Sequence, residues 1–319
     1  MRVLLTGATG FIGAHFFERL ARKGDTVAGF IRSVGNATLS SASRLSRLER
    51  IVETHPNARL LHAARFADAE SAIAAFAPTA CIHLAGRSSV RESVNHPGLY
   101  ADVNCAGTIE LLEVLRRAGC PRVIHASSVM VYGKDAPLPY SEARTGSAPA
   151  SFYGASKLAA ETVLNTWRVL HGMETINLRL FSVYGPDLRA DSVPHLIASA
   201  IREQREFTVF GNGGSVRDYI EIEDVADALE AALRVRWSQD FPAALNIGTG
   251  VGTSLLEMIR TIEGAMNETA RLVFKPTVPG ELQAIIAECE SAKRMLKWEP
   301  RVNRADGIAR MAEWFNATR

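Results

Sequence analysis

The chain is short of cysteine, of charge of one sign and of long apolar runs, and each shortage removes a class of protein. Four cysteines among 319 residues, Cys81, Cys105, Cys120 and Cys289, form no CxxC pair. That spacing argues against a metal knuckle or a disulfide framework and for buried thiols in a reducing compartment, with no metal expected. A formal net charge of +2 gives no electrostatic case for nucleic acid or an acidic membrane as partner. No apolar stretch reaches membrane-spanning length, so no membrane association is expected. Gly7 and Gly10 interrupt the N-terminal leucines at once, so this segment reads as a buried strand and turn rather than a signal peptide. The expected compartment is the cytoplasm. What remains is an ordinary soluble composition, 47% hydrophobic, in a chain long enough for one large domain and a smaller one.

Strand-like runs at residues 2–6, 25–31, 58–62, 80–84 and 121–127 alternate with helical periodicity at 11–23, 68–77, 98–118 and 153–171. Such alternation implies an α/β fold, a doubly wound parallel sheet covered by helices on both faces. Dinucleotides bind such sheets beyond the carboxyl ends of the strands. The second half is less regular. Strand-like pieces near 174–180, 207–210, 244–248 and 271–275 mix with helices near 223–235, 253–266 and 303–316, punctuated by turns at 211–214 and 276–280. This predicts a dinucleotide-binding domain over 1–175, with a return of the chain near 218–248, and a smaller mixed α/β substrate domain over 176–319. The serine-rich stretch 33–43 reads as a loop followed by a short helix.

Glycines at 7, 10 and 13 follow the first strand and precede a helix. They permit a tight turn, a close approach to phosphate and close packing of helix on strand. The helix starting near Phe11 and Ile12 then points its amides at a pyrophosphate. The second strand ends Gly29-Phe30-Ile31-Arg32-Ser33, without the acid that would hold the ribose 2′-hydroxyl of NAD. Arg32 and Ser33 suit a 2′-phosphate, which favours NADP, although Arg32 also reads as a solvated loop cation. His83-Leu84-Ala85-Gly86 ends the fourth strand, where backbone would run along the cofactor; His83 itself reads as a packed strand histidine.

Tyr153 and Lys157 stand one helical turn apart, and Ser128 lies near the end of the strand at 121–127. A phenol with an ordinary pKa of about 10 is a poor base near neutrality. An ammonium one turn away, together with a positive nicotinamide ring, favours phenolate. Tyr153 can then take a proton from a sugar hydroxyl while hydride leaves the same carbon, with Lys157 holding the nicotinamide ribose and Ser128 the reacting oxygen. The same groups run backwards for ketone reduction.

At this point the chain resembles the extended short-chain dehydrogenase/reductase family, in its NAD-dependent nucleotide-sugar epimerase/dehydratase branch. The resemblance runs through Gly7 to Gly13, His83 to Gly86, Asn104-Cys105-Ala106-Gly107-Thr108, Ser127 to Gly133, Tyr153 to Lys157, Leu178 to Pro186, Arg217-Asp218-Tyr219 and Glu223 to Ala226. It implies a Rossmann-type sheet and Ser128, Tyr153 and Lys157 as the catalytic group. Asn104 joins the cofactor residues; Ser88, Ser182, Val193 and Pro194 face the sugar nucleotide, and Arg217 its diphosphate. A homodimer through helices near 98–118 and 153–171 is also implied.

Departures narrow the chemistry. Sugar 4,6-dehydratases carry Asp-Glu directly after the serine or threonine, where this chain has Val129 and Met130, so dehydration is not expected. The decarboxylases' glutamate is missing as well. Ser182 with Arg189 fits the uronate epimerases, in which an arginine pairs the sugar carboxylate; Arg189 reads equally as a solvated loop residue. Arg65 and its neighbours replace the Asp that often meets the adenine. Val278 stands where a second diphosphate arginine is usual, just before Pro279-Gly280-Glu281.

The leading expectation is a 4-epimerase of an NDP-hexose or NDP-uronic acid working through a 4-keto intermediate on NAD. The alternative is an NADPH-dependent reductase of a 4-keto-6-deoxy nucleotide sugar. A non-catalytic dinucleotide sensor is disfavoured because Tyr153 and Lys157 are both intact.

Overall fold

Val3, Leu4 and Leu5 are all fully buried, the pattern of a strand covered on both faces. The computed structural model describes residues 1–33, 39–144, 146, 148–238, 240–277 and 282–318. Its strands are β1 (Arg2–Thr6), β2 (Thr26–Arg32), β3 (Ala58–Ala63), β4 (Ala80–His83), β5 (Arg122–Ser128), β6 (Glu174–Leu180), β7 (Ser182–Tyr184), β8 (Glu206–Phe210), β9 (Val216–Glu221), β10 (Ala244–Ile247), β11 (Gly252–Ser254), β12 (Arg271–Lys275) and β13 (Ala284–Ile285). Seven of them form one sheet in the order β10-β6-β5-β4-β1-β2-β3. The pairs β1–β2, β2–β3, β1–β4 and β4–β5 are parallel. The order reverses between β1 and β4, which is where a doubly wound sheet opens its ligand crevice.

The described residues divide into two compact units. The first comprises Met1–Asp135, Gly146–Arg179 and Leu229–Leu245, the second Ala136–Thr145, Leu180–Ala228 and Asn246–Arg319. In the first, Leu4, Phe30 and Val123 of the sheet pack with Leu111, Leu115 and Leu164 of the covering helices. In the second, β9 pairs with β7 and β13 in parallel and with β11 antiparallel, and a separate parallel pair joins β8 to β12. Among the described residues no helix is long and apolar enough to cross a membrane.

The structure corrects several sequence expectations. Residues 98–118 are not one α-helix. Helix Pro97–Tyr100 passes into a π-helical stretch, Ala101–Ala106, before α-helix resumes at Gly107–Arg117. Such bulges gather where a side chain must be aimed, and here Asn104 is the buried residue of the bulge. The short helix expected after the serine-rich loop is a 16-residue helix, Leu39–Thr54. Arg44, Leu48 and Ile51 supply its buried face at helical spacing, a stripe that serine content obscured. Residues 193–194, read only as a lining segment, open a helix, Val193–Arg202, whose first turn contains Pro194, as helix starts tolerate. Helices Val90–Asn95 and Glu290–Leu296, and the short strands β7, β9, β11 and β13, were also not anticipated. The substitution of Val278 for an arginine, and its neighbours Pro279 to Glu281, lie outside the described residues.

Candidate active site

Gly7 adopts φ +71°, and a Cβ there would lie 2.6 Å from the Ala85 nitrogen. A Cβ on Gly13 would lie 2.1 Å from the Gly7 carbonyl oxygen. Only glycine allows β1, the helix Phe11–Arg22 and the end of β4 to meet this closely. Gly10 caps that helix with extended backbone and no side-chain hydrogen bond, and no acidic residue occupies the first turn. The amide end of a 12-residue helix therefore faces outward without an internal anion, a fit for a pyrophosphate. Phe11 is buried and Ile12 half-buried beside this turn. Arg32 and Ser33 are both exposed at the end of β2. Arg65, beyond the end of β3, pairs with Glu110 at 3.1 Å.

The end of β4 is tied to this loop by a relay of buried polar groups. The Ala85 amide donates to Thr6 Oγ1 at 3.2 Å, and Thr6 Oγ1 meets His83 Nδ1 at 2.7 Å. His83 Nε2 meets Thr108 Oγ1 at 3.0 Å, and that hydroxyl donates to the Asn104 carbonyl at 2.7 Å. Because Thr108 spends its proton on Asn104, His83 must donate from Nε2 and accept from Thr6 at Nδ1. Burial, and then the Lys157 charge, push His83 down to about 3, so it stays neutral. His83 is the packed strand histidine that its setting suggested.

Asn104 is 2% exposed. Its Oδ1 accepts from the Arg87 amide at 2.8 Å, and its Nδ2 donates to the Arg87 carbonyl at 3.0 Å and to Ser156 Oγ at 2.9 Å. A Cβ on Gly86 would stand 3.0 Å from Asn104 Oδ1 and 3.3 Å from Lys157 Nζ. The end of β4, the π-helical stretch and the helix Phe152–His171 thus converge at Gly86. Leu84 and Ala85 are half-buried beside it, and Ser88 beyond it is exposed.

Helix Phe152–His171 carries Tyr153 and Lys157 on one face, both buried. Its start packs hard on the turn after β5: a Cβ on Gly154 would lie 2.1 Å from the Met130 carbonyl oxygen. That contact sets Tyr153 beside the segment that begins with Ser128, whose Oγ accepts from the Met130 amide at 3.2 Å. Lys157 Nζ donates to the Ala126 carbonyl at 2.7 Å and approaches His125 Nε2 at 3.3 Å. Burial pushes the lysine down to about 8, with Glu161 partly offsetting it. Sequence reasoning named Tyr153, Lys157 and Ser128 as candidates but not the groups that pack around them. Glu161, one turn beyond Lys157, accepts from Ser127 Oγ and from Arg179, an arrangement signalled only by the i, i+4 spacing.

In the second unit, Ser182 of β7 lies in register with Tyr219 of β9. Arg217 is two residues from Tyr219 on the same strand, so Ser182 and Arg217 share one face of this sheet. Asp218, pointing to the other face, accepts from Thr249 N and Oγ1, Gly250 N and Ala287 N at 2.6 to 3.1 Å. This pins β9 and was not foreseen, since its partners lie far away in sequence. Arg189 and Val193 are not on that sheet. Arg189 lies in the loop beyond β7 and grips Asp191 through two hydrogen bonds, at 3.0 and 3.1 Å; Val193 is partly exposed at the start of its helix. Among the described residues no group of three or more His, Cys, Asp or Glu could hold a metal.

Comparison with known proteins assigns the family. The family model described as GDP-mannose 4,6 dehydratase matches residues 4–311. The chain belongs to the NAD-dependent epimerase/dehydratase family of extended short-chain dehydrogenases/reductases. This epimerase/dehydratase family member is 35% identical to a UDP-glucose 4-epimerase of Mycolicibacterium smegmatis, over 99% of this chain and 98% of that protein. A crystal structure of the Bacillus cereus UDP-glucuronic acid 4-epimerase, in complex with UDP-glucuronic acid and NAD, superposes with a TM-score of 0.90 at 26% identity, covering all of both chains. A Thermus thermophilus UDP-glucose 4-epimerase complexed with NAD gives 0.85 at 27% identity, again covering both chains fully. The protein is an enzyme of this family. The family model's description names a dehydratase, yet Val129 and Met130 follow Ser128 here, and neither side chain can move a proton.

Proposed function

We propose that the protein is a nucleotide-sugar 4-epimerase, acting by reversible hydride transfer at C4 of an NDP-hexose or NDP-uronic acid through a 4-keto sugar. The observation that carries this reading is the catalytic helix of the first unit. Tyr153 and Lys157 are buried on one face, next to Ser128 and to a glycine turn open to a pyrophosphate, with no acid–base pair after Ser128 for elimination. The 4-epimerase names of the similar proteins support it.

Tyr153 removes the proton of the C4 hydroxyl and later returns it, and Ser128 hydrogen-bonds the same oxygen in both directions. Lys157, charged below about 8, lowers the phenol's proton affinity and donates to the nicotinamide ribose. NAD bound along Gly7, Gly10, Phe11, Ile12, Gly13, Leu84, Ala85, Gly86 and Asn104 would accept hydride from C4 and give it back. The first unit serves as the dinucleotide-binding domain and the second as the substrate domain, with Ser182 and Arg217 on the nucleotide-sugar face of β9 and Ser88 and Val193 as further contacts. Arg189 is held by Asp191, so a uronate carboxylate has to displace that partner. The pair is exposed and worth at most about 1 kcal/mol, so the barrier to a uronate is small. Exposed Phe152, Val169 and Leu170 on the catalytic helix support a homodimer.

A second reading rests on Arg32: its exposed guanidinium, and the absence of an acid at the end of β2, suit the 2′-phosphate of NADPH and a 4-keto-sugar reductase. Mass spectrometry of dinucleotide released by acid from freshly purified protein separates the two. Near-stoichiometric NAD is expected. Empty protein that binds NADPH far more tightly than NADH would overturn the epimerase in favour of the reductase.

A further inference from the structure

His125 is a buried ionisable residue on β5 that the reaction itself does not use. It is fully buried and stacks on His83 with ring centroids 5.4 Å apart. Its Nδ1 lies 2.9 Å from Asn177 Oδ1. Asn177 is oriented by its own amide, which donates to the Ala243 carbonyl at 3.0 Å and to Asn165 Oδ1 at 3.4 Å. Its Oδ1 can therefore only accept, so the proton of His125 sits on Nδ1 and the lone pair on Nε2 faces Lys157. Burial, with Lys157 and His83 adding to it, holds His125 well below its ordinary pKa, so the lone pair persists across the working pH range.

We infer that His125 is a positioning residue for Lys157, its neutral ring accepting one ammonium proton at Nε2 and so fixing where the lysine aims the others. The inference rests on the proposed role of Lys157. An ammonium carries three protons in tetrahedral directions. The Ala126 carbonyl takes one and His125 a second. The third is left on the Gly86 side, where the absent Cβ leaves room beside Nζ. That is the side on which the cofactor ribose is proposed to lie. An apolar ring in place of His125 removes the second anchor. The ammonium then swings about the Ala126 bond and loses a partner that offsets the cost of burying its charge.

The other ionisable groups around Lys157 have other tasks. On β4, His83 is neutral and bonded to two threonines. Arg87, just past that strand, pairs with Glu92 at 2.8 Å. On the catalytic helix, Glu161 is bound to Ser127 and to Arg179 of β6, and Tyr153 is the reacting group. None of these replaces the acceptor at Nε2.

The test compares kcat and KM against pH for the wild type, His125→Phe and His125→Gln, the last keeping an acceptor oxygen. Tyr153 ionisation is followed alongside by ultraviolet difference titration of each protein against its Tyr153→Phe counterpart, which requires no turnover. His125→Phe should lower kcat about tenfold or more, the equivalent of one charge-assisted hydrogen bond, with KM little changed. Its alkaline limb should move to lower pH, its Tyr153 titration to higher pH, and His125→Gln should restore part of both. Unchanged limbs and titration in His125→Phe would overturn the inference while an inactive Tyr153→Phe left the parent reading standing. An active Tyr153→Phe would instead sink the parent reading. Nitrogen-15 histidine spectra of the wild type give an answer even where the variants fail to fold. Two histidines should resist protonation, one carrying its proton on Nε2 (His83) and one on Nδ1 (His125). Two Nε2–H tautomers would overturn the inference.

Discussion

Replacing Glu161 by alanine should destabilise the first unit by about 3–5 kcal/mol, because it strands a buried guanidinium. The carboxylate side chain is 4% exposed and that of Arg179 8%. Oε1 accepts from Ser127 Oγ at 2.5 Å and from Arg179 Nε at 3.0 Å, and Oε2 accepts from Nη2 at 2.8 Å. Once the carboxylate is gone, Arg179 keeps Tyr132, whose ring centroid lies 4.8 Å from the guanidinium carbon. A desolvated cation–π contact is worth about 2 kcal/mol, against several for an unpaired buried ion. The deficit is therefore set by the missing anion rather than by lost packing. The double replacement Glu161→Met with Arg179→Met removes the charge along with its partner and should recover most of the loss. Urea denaturation of the wild type, Glu161→Ala, Glu161→Met, Arg179→Met and the double variant, followed by circular dichroism, measures the loss and the coupling. A Glu161→Ala loss below about 1 kcal/mol, the range of an exposed pair, would refute the reasoning.

Tyr153→Phe should lower kcat by about 10²–10⁴-fold while leaving bound dinucleotide in place, checked by initial rates beside the cofactor absorbance of the purified protein. Gly13→Ala should abolish dinucleotide retention, since the new methyl would meet the Gly7 carbonyl at 2.1 Å; full occupancy by mass spectrometry would contradict the packing. Glu230 is pushed up by burial, but hydrogen bonds from Lys23, Arg234 and Arg19 outweigh that and bring it to about 2, from an ordinary 4.5. A carboxyl with a depressed folded pKa contributes stability above its unfolded value and loses it as the pH falls through the folded one. Glu230→Gln should therefore flatten the acid dependence of the denaturation midpoint between about pH 4.5 and 2; a slope equal to that of the wild type would count against it.

The parts of the candidate site that were legible in the sequence are those whose pattern is local. Gly7, Gly10 and Gly13 sit within one turn, and Tyr153 and Lys157 within one helical turn, so spacing alone announces them. The parts that escaped depend on partners distant in the chain. His125 acquires its place from Asn177 and Lys157, 52 and 32 residues away. Asp218 is unremarkable in β9 until Thr249 and Ala287 arrive, 31 and 69 residues on. The π-helical stretch around Asn104 escaped for another reason. One inserted residue barely changes an apolar pattern, whereas the buried amide that stabilises it bonds to Arg87 and Ser156 on other elements. Strands β7, β9, β11 and β13 of the second unit have two to six residues each, too few for alternation to rise above the loops around them.

The most direct test of the central claim is proton nuclear magnetic resonance of the purified protein incubated separately with UDP-glucose, UDP-galactose, UDP-glucuronate and UDP-galacturonate, with no dinucleotide added. The account predicts conversion to the C4 epimer for at least one of these, with the same equilibrium mixture reached from either epimer of that pair. No interconversion of any of them, together with consumption of added NADPH on a 4-keto-6-deoxy nucleotide sugar, would contradict it.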